Sequence, residues 1–524
     1  SRKGRTERTF VVSTVAVIVG ELVVAIFAVF GRLVVGELIV GELIVGKMKF
    51  VSFVCVALLV VCCSAQQPHP IGLKLRSNGM RIFVEKSTGR EMFFHGTNAI
   101  VKGPPYIPYT EHWDIDISLT KKDYNMMDEL GLNVIRLGTM WSGTEPEKGQ
   151  FNETYIEALK NITVAAGEFG IYSLLDMHQD VFSETFCGEG IPSWTVATGS
   201  KLGFPEILKK PYTDYNEYGY PTRQDCFSLT WSDYYYTDAV GFAFQDLYNE
   251  GETRTRWGDF WQKIASSFKD AGHILGLELL NEPWAGDVYS DKTLIIPGQA
   301  DKRNLMPAYD YLNGRIRQED DEVLLFFAAV TFDDFHPAGF SEAPGGEEYS
   351  DRSVFAYHWY SPPQFDKDIP LYFEQRMNDA IRMHTGAMLT EFDRPDDQRG
   401  GTYSDDEYER VCDAADRHLQ SHAFWEWKTF CKETNQTLNS NSSFAAYGAC
   451  ITGYGSHNYI WNDDGTENDD VKRKLARTYA KAVAGETQRM KYDIDTGDFE
   501  LKFLLDTSIT APTEIYANQG LVYS

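Results

Sequence analysis

Eight short apolar runs, most of them separated by amphipathic stretches, restrict what this chain can fold into more than any other feature. The runs are MFFHGTN (92–98), LNVIRLG (132–138), IYSLLDMH (171–178), ILGLELLNE (274–282), EVLLFFAAV (322–330), SVFAYHWY (353–360), GAMLTEFD (386–393) and HAFWEWK (422–428). Between them, segments such as KDYNMMDELG (122–131) and NETYIEALKNITVAAGEFG (152–170) carry helical spacing. Strands apolar on both faces belong to a parallel sheet with helices packed outside it. Eight of them alternating with helices predict an α/β fold, the (β/α)8 TIM barrel. Ahead of it, LKLRSNGMRIFVEKSTGREMFF reads as two hairpins that would floor the barrel, turning at Asn78-Gly79 and Thr88-Gly89. A last helix is expected over 471–485, then a hairpin around Thr496-Gly497 within a short C-terminal β region, 486–524.

The beginning of the sequence is different in kind. GELVV, GELIV and GELIV start at Gly20, Gly36 and Gly41, and the first methionine is Met48. From there MKFVSFVCVALLVVCCSA (48–65) has the basic start, apolar run and small residues of a secretory signal. Residues 1–47 are therefore expected to be upstream transcript read through in frame, outside the fold. The rival is a membrane anchor over 10–31, against which Glu21 near its middle counts. The catalytic barrel is expected over 66–485. The chain carries −27, near −30 without its first 65 residues, so it would repel phosphate backbones and no nucleic-acid partner is expected.

A secreted route permits disulfides. Closeness along the chain favours Cys187–Cys226 and Cys431–Cys450, leaving Cys412 free. No Cys-x-x-Cys pair suggests a metal. Sequons at Asn152, Asn161, Asn435 and Asn441 fit a glycoprotein.

Residues 182–236 separate the third strand from its helix and hold 13 aromatics. So long a connection is either a self-packed subdomain or an apolar wall beside the site. For a wall, Trp194 and Tyr234–Tyr236 are the expected lining. Reactive residues of such barrels sit at the C-terminal ends of the strands. Strand four ends in Asn281-Glu282-Pro283-Trp284, strand seven in Thr390-Glu391-Phe392, and strand three in Asp176-Met177-His178-Gln179-Asp180. Arg136 lies on strand two, His358 and Tyr360 on strand six, Trp425 and Trp427 on strand eight. Two carboxylates on roughly opposite strands suit glycoside hydrolysis, one as acid and one at the anomeric carbon. Each residue alone has a structural reading. Glu278 shares the strand parity of Glu282 and competes with it, four residues deeper. The joint arrival of these residues at one end of successive strands favours a site.

These motifs (GLNVIRL, DMHQD, LLNEPW, YHWY, LTEFD and FWEWK) resemble glycoside hydrolase family 5 over 92–428. NAIVKGPPY (98–106), LLDMHQDVFSETFCGEGIPSW (174–194) and ITAPTEIY (509–516) resemble its endoglycoceramidase group, whose C-terminal β region is a sandwich that this chain would carry only in part. The resemblance implies Glu282 as acid/base and Glu391 as nucleophile. It implies Asn281 at the sugar 2-hydroxyl, and His178, Asp180 and Lys102 around the sugar next to the scissile bond. Arg136 and Tyr360 would orient Glu391 with His358 beside them, and Trp425 would floor the sugar. The expected function is that of a secreted retaining β-glycosidase releasing intact glycan and ceramide from glycosphingolipids. It would make transient contact with a membrane surface or micelle and need neither metal nor organic cofactor. The alternatives are a family 5 polysaccharide hydrolase, a single-sugar glucosylceramidase and, least supported, a non-catalytic glycolipid-binding protein. Oligomeric state is not readable from the sequence.

Overall fold

The computed structural model describes residues 7–11, 69–216, 218–331, 335–360, 368–393, 405–431, 460–462 and 464–523. The expected signal segment 48–65, most of 1–47 and the sequons at Asn435 and Asn441 lie outside the described residues. Four strands come first: β1 (Glu7–Val11), β2 (Ile71–Leu75), β3 (Arg81–Glu85) and β4 (Glu91–Met92). Next come β5 (His95–Ala99), β6 (Val134–Gly138), β7 (Tyr172–Asp176), β8 (Ile274–Glu278), β9 (Leu325–Ala328), β10 (Ser353–Trp359), β11 (Gly386–Phe392) and β12 (Ser421–Phe424). Each falls on one of the eight apolar runs. They pair in parallel in chain order, and β12 returns to β5 to close the barrel.

Helices cover the barrel because each offers one apolar stripe. Helix Glu252–Phe268 buries Trp257, Phe260, Trp261, Ile264 and Phe268, spaced three or four apart. Each such burial is worth about 1.5–3 kcal/mol. The ends are fixed locally as well. Thr120 and Asp123 form a reciprocal capping box on helix Lys121–Glu129. The side chain of Asn152 accepts from the Tyr155 amide at the start of Glu153–Gly167.

The hairpins do floor the barrel. Ile71, Phe83 and Met92 pack against Val134, Leu174, Val354 and Met388, which lie toward the N-terminal ends of the strands. The C-terminal region departs from expectation at one point. The helix expected over 471–485 is only Asp469–Leu475, and Tyr479–Val483 is a strand, β13. Its alanines and lysine favour helix locally by a few tenths of a kcal/mol each. Pairing on both edges outweighs that: β13 lies antiparallel between β4 and β16 (Glu514–Tyr516). Between them β14 (Gly485–Tyr492) and β15 (Phe499–Leu505) make the expected hairpin, in a sheet ordered β1-β15-β14. Met490, Tyr492, Phe499 and Leu501 pack with Ile82, Phe93 and Leu419, so this region is built onto the underside of the barrel.

Candidate active site

Arg136, fully buried on β6, organises the mouth of the barrel. Its Nε and Nη2 donate to the two oxygens of Glu278 at 2.8 and 3.0 Å. Nη2 also reaches Asn281 Oδ1 at 2.8 Å and Asp176 Oδ1 at 3.0 Å. Nη1 donates to Asn98 Oδ1 and to Glu391 Oε2, each at 3.0 Å. Burial alone would lower the guanidinium pKa, but the charges of Asp176 and Glu278 outweigh it and hold it above its ordinary value. The competition between Glu278 and Glu282 is settled by position. Glu278 is wholly buried and gripped by Arg136 and the Thr390 hydroxyl (3.2 Å), so its role is to hold the cation.

Glu391 ends β11 with both oxygens held: Arg136 takes Oε2, and the Tyr360 hydroxyl donates to Oε1 at 2.8 Å. A register shift puts Thr390 out of the β10–β11 ladder, so that His358 pairs with Glu391. Glu282, just past β8, adopts a left-handed backbone (φ 41°). The Gln179 side-chain amide donates to the carbonyls of Asn281 and Glu282 at 2.8 and 3.0 Å and secures that turn. Glu282 Oε1 lies 3.0 Å from His358 Nδ1. Oxygens of Glu282 and Glu391 come within 4.8 Å of each other. The environments differ. Burial, followed by the charge of Asp180, raises Glu282 to about 7, while Glu391 faces a fixed cation. Burial pushes the His358 imidazole down, toward its neutral form.

Beside this pair lies a second cluster. Asp176 links the two: its other oxygen meets His178 Nδ1 at 2.8 Å. Burial would lower His178, but hydrogen bonding to Asp176 and Asp180 lifts it to about 9. Its ring stacks on Trp425 with centroids 5.4 Å apart. The Lys102 ammonium is bonded to Asp180, lies 3.3 Å from Glu189 and sits 5.0 Å above the Trp425 ring. Burial would raise Asp180, but Lys102 holds it below the usual carboxylate range, and burial keeps Glu189 well above it. His178, Asp180 and Glu189 have the donor set of a metal site. Lys102 takes the cation's place there.

All ten residues singled out from the sequence therefore meet at one mouth. Sequence reasoning missed Asn98, Asp176, Gln179 and Glu189 as members. Asn98 had a usable signal, since it ends strand one in register with Arg136. Glu189 had none, because a loop delivers it. Gly190 (φ +101°) lies where a Cβ would stand 2.1 Å from the His178 carbonyl, so the segment closes on the strand end only with glycine there.

The long insertion is stapled by Cys187–Cys226, as expected. Cys412 is free and buried, its thiol pushed up to about 12 by burial. Cys431 is disulfide-bonded, and its expected partner Cys450 lies outside the described residues. The expected groove lining is corrected. Trp194 is half-buried and donates to the Glu145 carbonyl, and Tyr234 and Tyr235 are fully buried; Tyr236 alone of these is exposed. The insertion closes its own core around Phe204, Tyr212 and Tyr234, which claims those rings. Tyr235 and Tyr236 lie against Trp284, two residues beyond Glu282.

A closed parallel barrel with two carboxylates facing across its C-terminal mouth, one raised to about 7 by burial and one fixed by an arginine, defines a glycosidase of the barrel type. Residues 98–430 match the model described as cellulase (glycosyl hydrolase family 5), and residues 477–524 match the glycoside hydrolase family 5 C-terminal domain. The chain belongs to glycosyl hydrolase family 5. It is 42% identical over 441 residues to an endoglycoceramidase of Cyanea nozakii, covering 84% of this chain and 83% of that one. An endoglycoceramidase of Hydra vulgaris is 41% identical, covering 83% of this chain and 79% of its own. In fold it is similar to endo-glycoceramidase II from Rhodococcus sp. (TM-score 0.62, 21% identity, 83% of this chain and 89% of that one).

Proposed function

We propose that this protein hydrolyses the bond between glycan and ceramide in glycosphingolipids, with retention at the anomeric carbon, releasing the intact glycan and ceramide. The observation that carries the chemistry is the separation of Glu282 and Glu391, within 4.8 Å between oxygens. Retaining enzymes hold their carboxyl groups about 5–5.5 Å apart, and inverting ones about 6.5–9.5 Å to admit a water. Glu391, both oxygens aimed, attacks the anomeric carbon. Glu282 gives its proton to the departing ceramide oxygen, so that the bond to ceramide breaks as the glycosyl ester forms. Glu282 then takes a proton from water, which attacks the anomeric carbon from the face the ceramide left, breaking the bond to Glu391 and freeing its carboxylate. His178, Lys102 and Asp180 offer donors and acceptors to the sugar over the Trp425 face, and Asn281 stands beside Arg136 for the 2-hydroxyl. The endoglycoceramidases of Cyanea and Hydra, similar over most of both chains, support the glycosphingolipid as substrate. The signal-like segment 48–65, the Cys187–Cys226 bridge and the exposed sequons at Asn152 and Asn161 support secretion. Incubation with a defined ganglioside, then chromatography of the released glycan, tests the reading. Release of the whole oligosaccharide is expected. Stepwise release of single sugars, or cleavage of a soluble β-glucan in its place, overturns it.

A further inference from the structure

A glycosphingolipid is presented in a bilayer, and two loops at the mouth of the barrel gather exposed aliphatic side chains. Five of the eight exposed leucines and isoleucines among the described residues lie on them: Leu202, Ile207 and Leu208 on the loop after β7, Ile295 and Ile296 on the loop after β8. Ile207 is 59% exposed and Ile295 is 66% exposed. Exposed lysines flank both aliphatic pairs, Lys209 and Lys210 on the first loop and Lys292 on the second. None of the three pairs with a carboxylate among the described residues, although the chain carries −27.

The two loops are one structure. Lys201 Nζ donates to Ser290 Oγ at 2.8 Å, and Lys201 N and Leu202 N donate to Asp238 at 3.0 and 3.2 Å. Phe204 is buried against Phe186 and Tyr234, so the aliphatic tip stands on a fixed base. The lip is tied to the candidate site stepwise: Trp284 stands two residues after Glu282, Trp284 packs on Tyr236, and the Tyr236 carbonyl accepts from the Tyr289 hydroxyl beside Ser290.

We propose that this lip docks at the polar–apolar boundary of an anionic phospholipid bilayer, its aliphatic pairs entering the acyl region and Lys209, Lys210 and Lys292 meeting lipid phosphates. Aliphatic side chains with adjacent unpaired lysines match that boundary, and the positive charge attracts an anionic leaflet even on an acidic protein. Docking there turns the mouth, with Glu282 and Glu391, toward headgroups projecting from the same surface. The proposal rests on the glycosphingolipid reading of the site, but its test does not need glycosphingolipid.

The full chain, a Lys209→Gln, Lys210→Gln, Lys292→Gln variant and an Ile207→Gln, Ile295→Gln variant are each sedimented with phosphatidylcholine vesicles with and without phosphatidylserine. Affinity residing elsewhere in the chain is common to all three. The lysine variant should lose on the order of a hundredfold in partition to anionic vesicles, and the loss should shrink as salt rises. The isoleucine variant should lose affinity for both vesicle types. Both should keep the parent's rate on a water-soluble aryl glycoside and fall behind on ganglioside held in vesicles. Equal sedimentation of parent and variants, or no sedimentation of the parent with anionic vesicles at low salt, overturns the lip. Selective vesicle binding by a parent that cleaves no dispersed ganglioside overturns the substrate instead.

Discussion

Glu278, Glu282 and Glu391 lie within a few ångströms of Arg136 or of one another, yet their substitutions should separate cleanly. Glu391→Gln and Glu282→Gln each remove a group acting on the reacting atoms. Each should lower kcat about 10³-fold or more on glycosphingolipid, with the thermal midpoint nearly unchanged. Glu278→Gln instead breaks a buried pair and leaves Arg136 under-compensated, which costs about 3–5 kcal/mol of stability. Differential scanning calorimetry beside kinetics on the same three variants checks this. A stable but inactive Glu278→Gln enzyme would reverse the assignment. The pH profile belongs to Glu282. Its proton is needed for the first step and is lost as pH rises through about 7. The alkaline limb of kcat/KM should therefore fall near that value, and Asp180→Asn, by removing the nearby negative charge, should move it to lower pH.

At the scale of elements, the insertion 182–236 is the piece most dependent on a covalent tie. The Cys187–Cys226 bridge joins positions 39 residues apart. Closing such a loop is worth about 3–4 kcal/mol in the chain-entropy account. Cys187→Ser with Cys226→Ser should lower the thermal midpoint by several degrees and raise protease cutting within 200–220, whereas Cys412→Ser should do neither; limited proteolysis with mass spectrometry reads this. The barrel strands were legible because periodicity and burial agree along each run, and the site residues because they terminate those runs. What was not legible depended on tertiary closure. Glu189 reaches Lys102 only because the chain folds back across the His178 carbonyl. Tyr234 and Tyr235 are as aromatic as a groove lining, but composition does not say which way a ring turns. Lys102 was named only through the family resemblance, because nothing local in a loop lysine announces that Asp180 and Glu189 will surround it. In Tyr479–Val483 an alanine-rich stretch was claimed by two neighbouring strands.

The whole molecule is sensitive to acid from beneath. His95 and His422, at the starts of β5 and β12, are buried with ring centroids 4.1 Å apart, and Tyr479 of β13 stacks on His95. Burial, helped by the charge of Arg477, lowers His422 from its ordinary 6.5 to about 3, and burial pushes His95 down as well. The sign follows from proton uptake. Below pH 6.5 the unfolded chain binds protons that the folded floor refuses. Stability present above 6.5 is thus lost progressively as pH falls toward 3. Urea unfolding across that range should show a shallower slope for His422→Asn than for the parent. Equal slopes would remove His422 from the acid sensitivity.

The separation of strand ends from loop tips has a consequence for substitution. Asn98, Asp176, Glu278, Asn281 and Glu391 gather at the strand ends around Arg136, where one replacement disturbs several partners. The aliphatic tips stand farther out on the connections after β7 and β8, whose first residues carry His178, Asp180 and Glu282. Changes confined to the outer parts of those two connections would alter the surface the lip presents and leave the residues next to the strand ends in place.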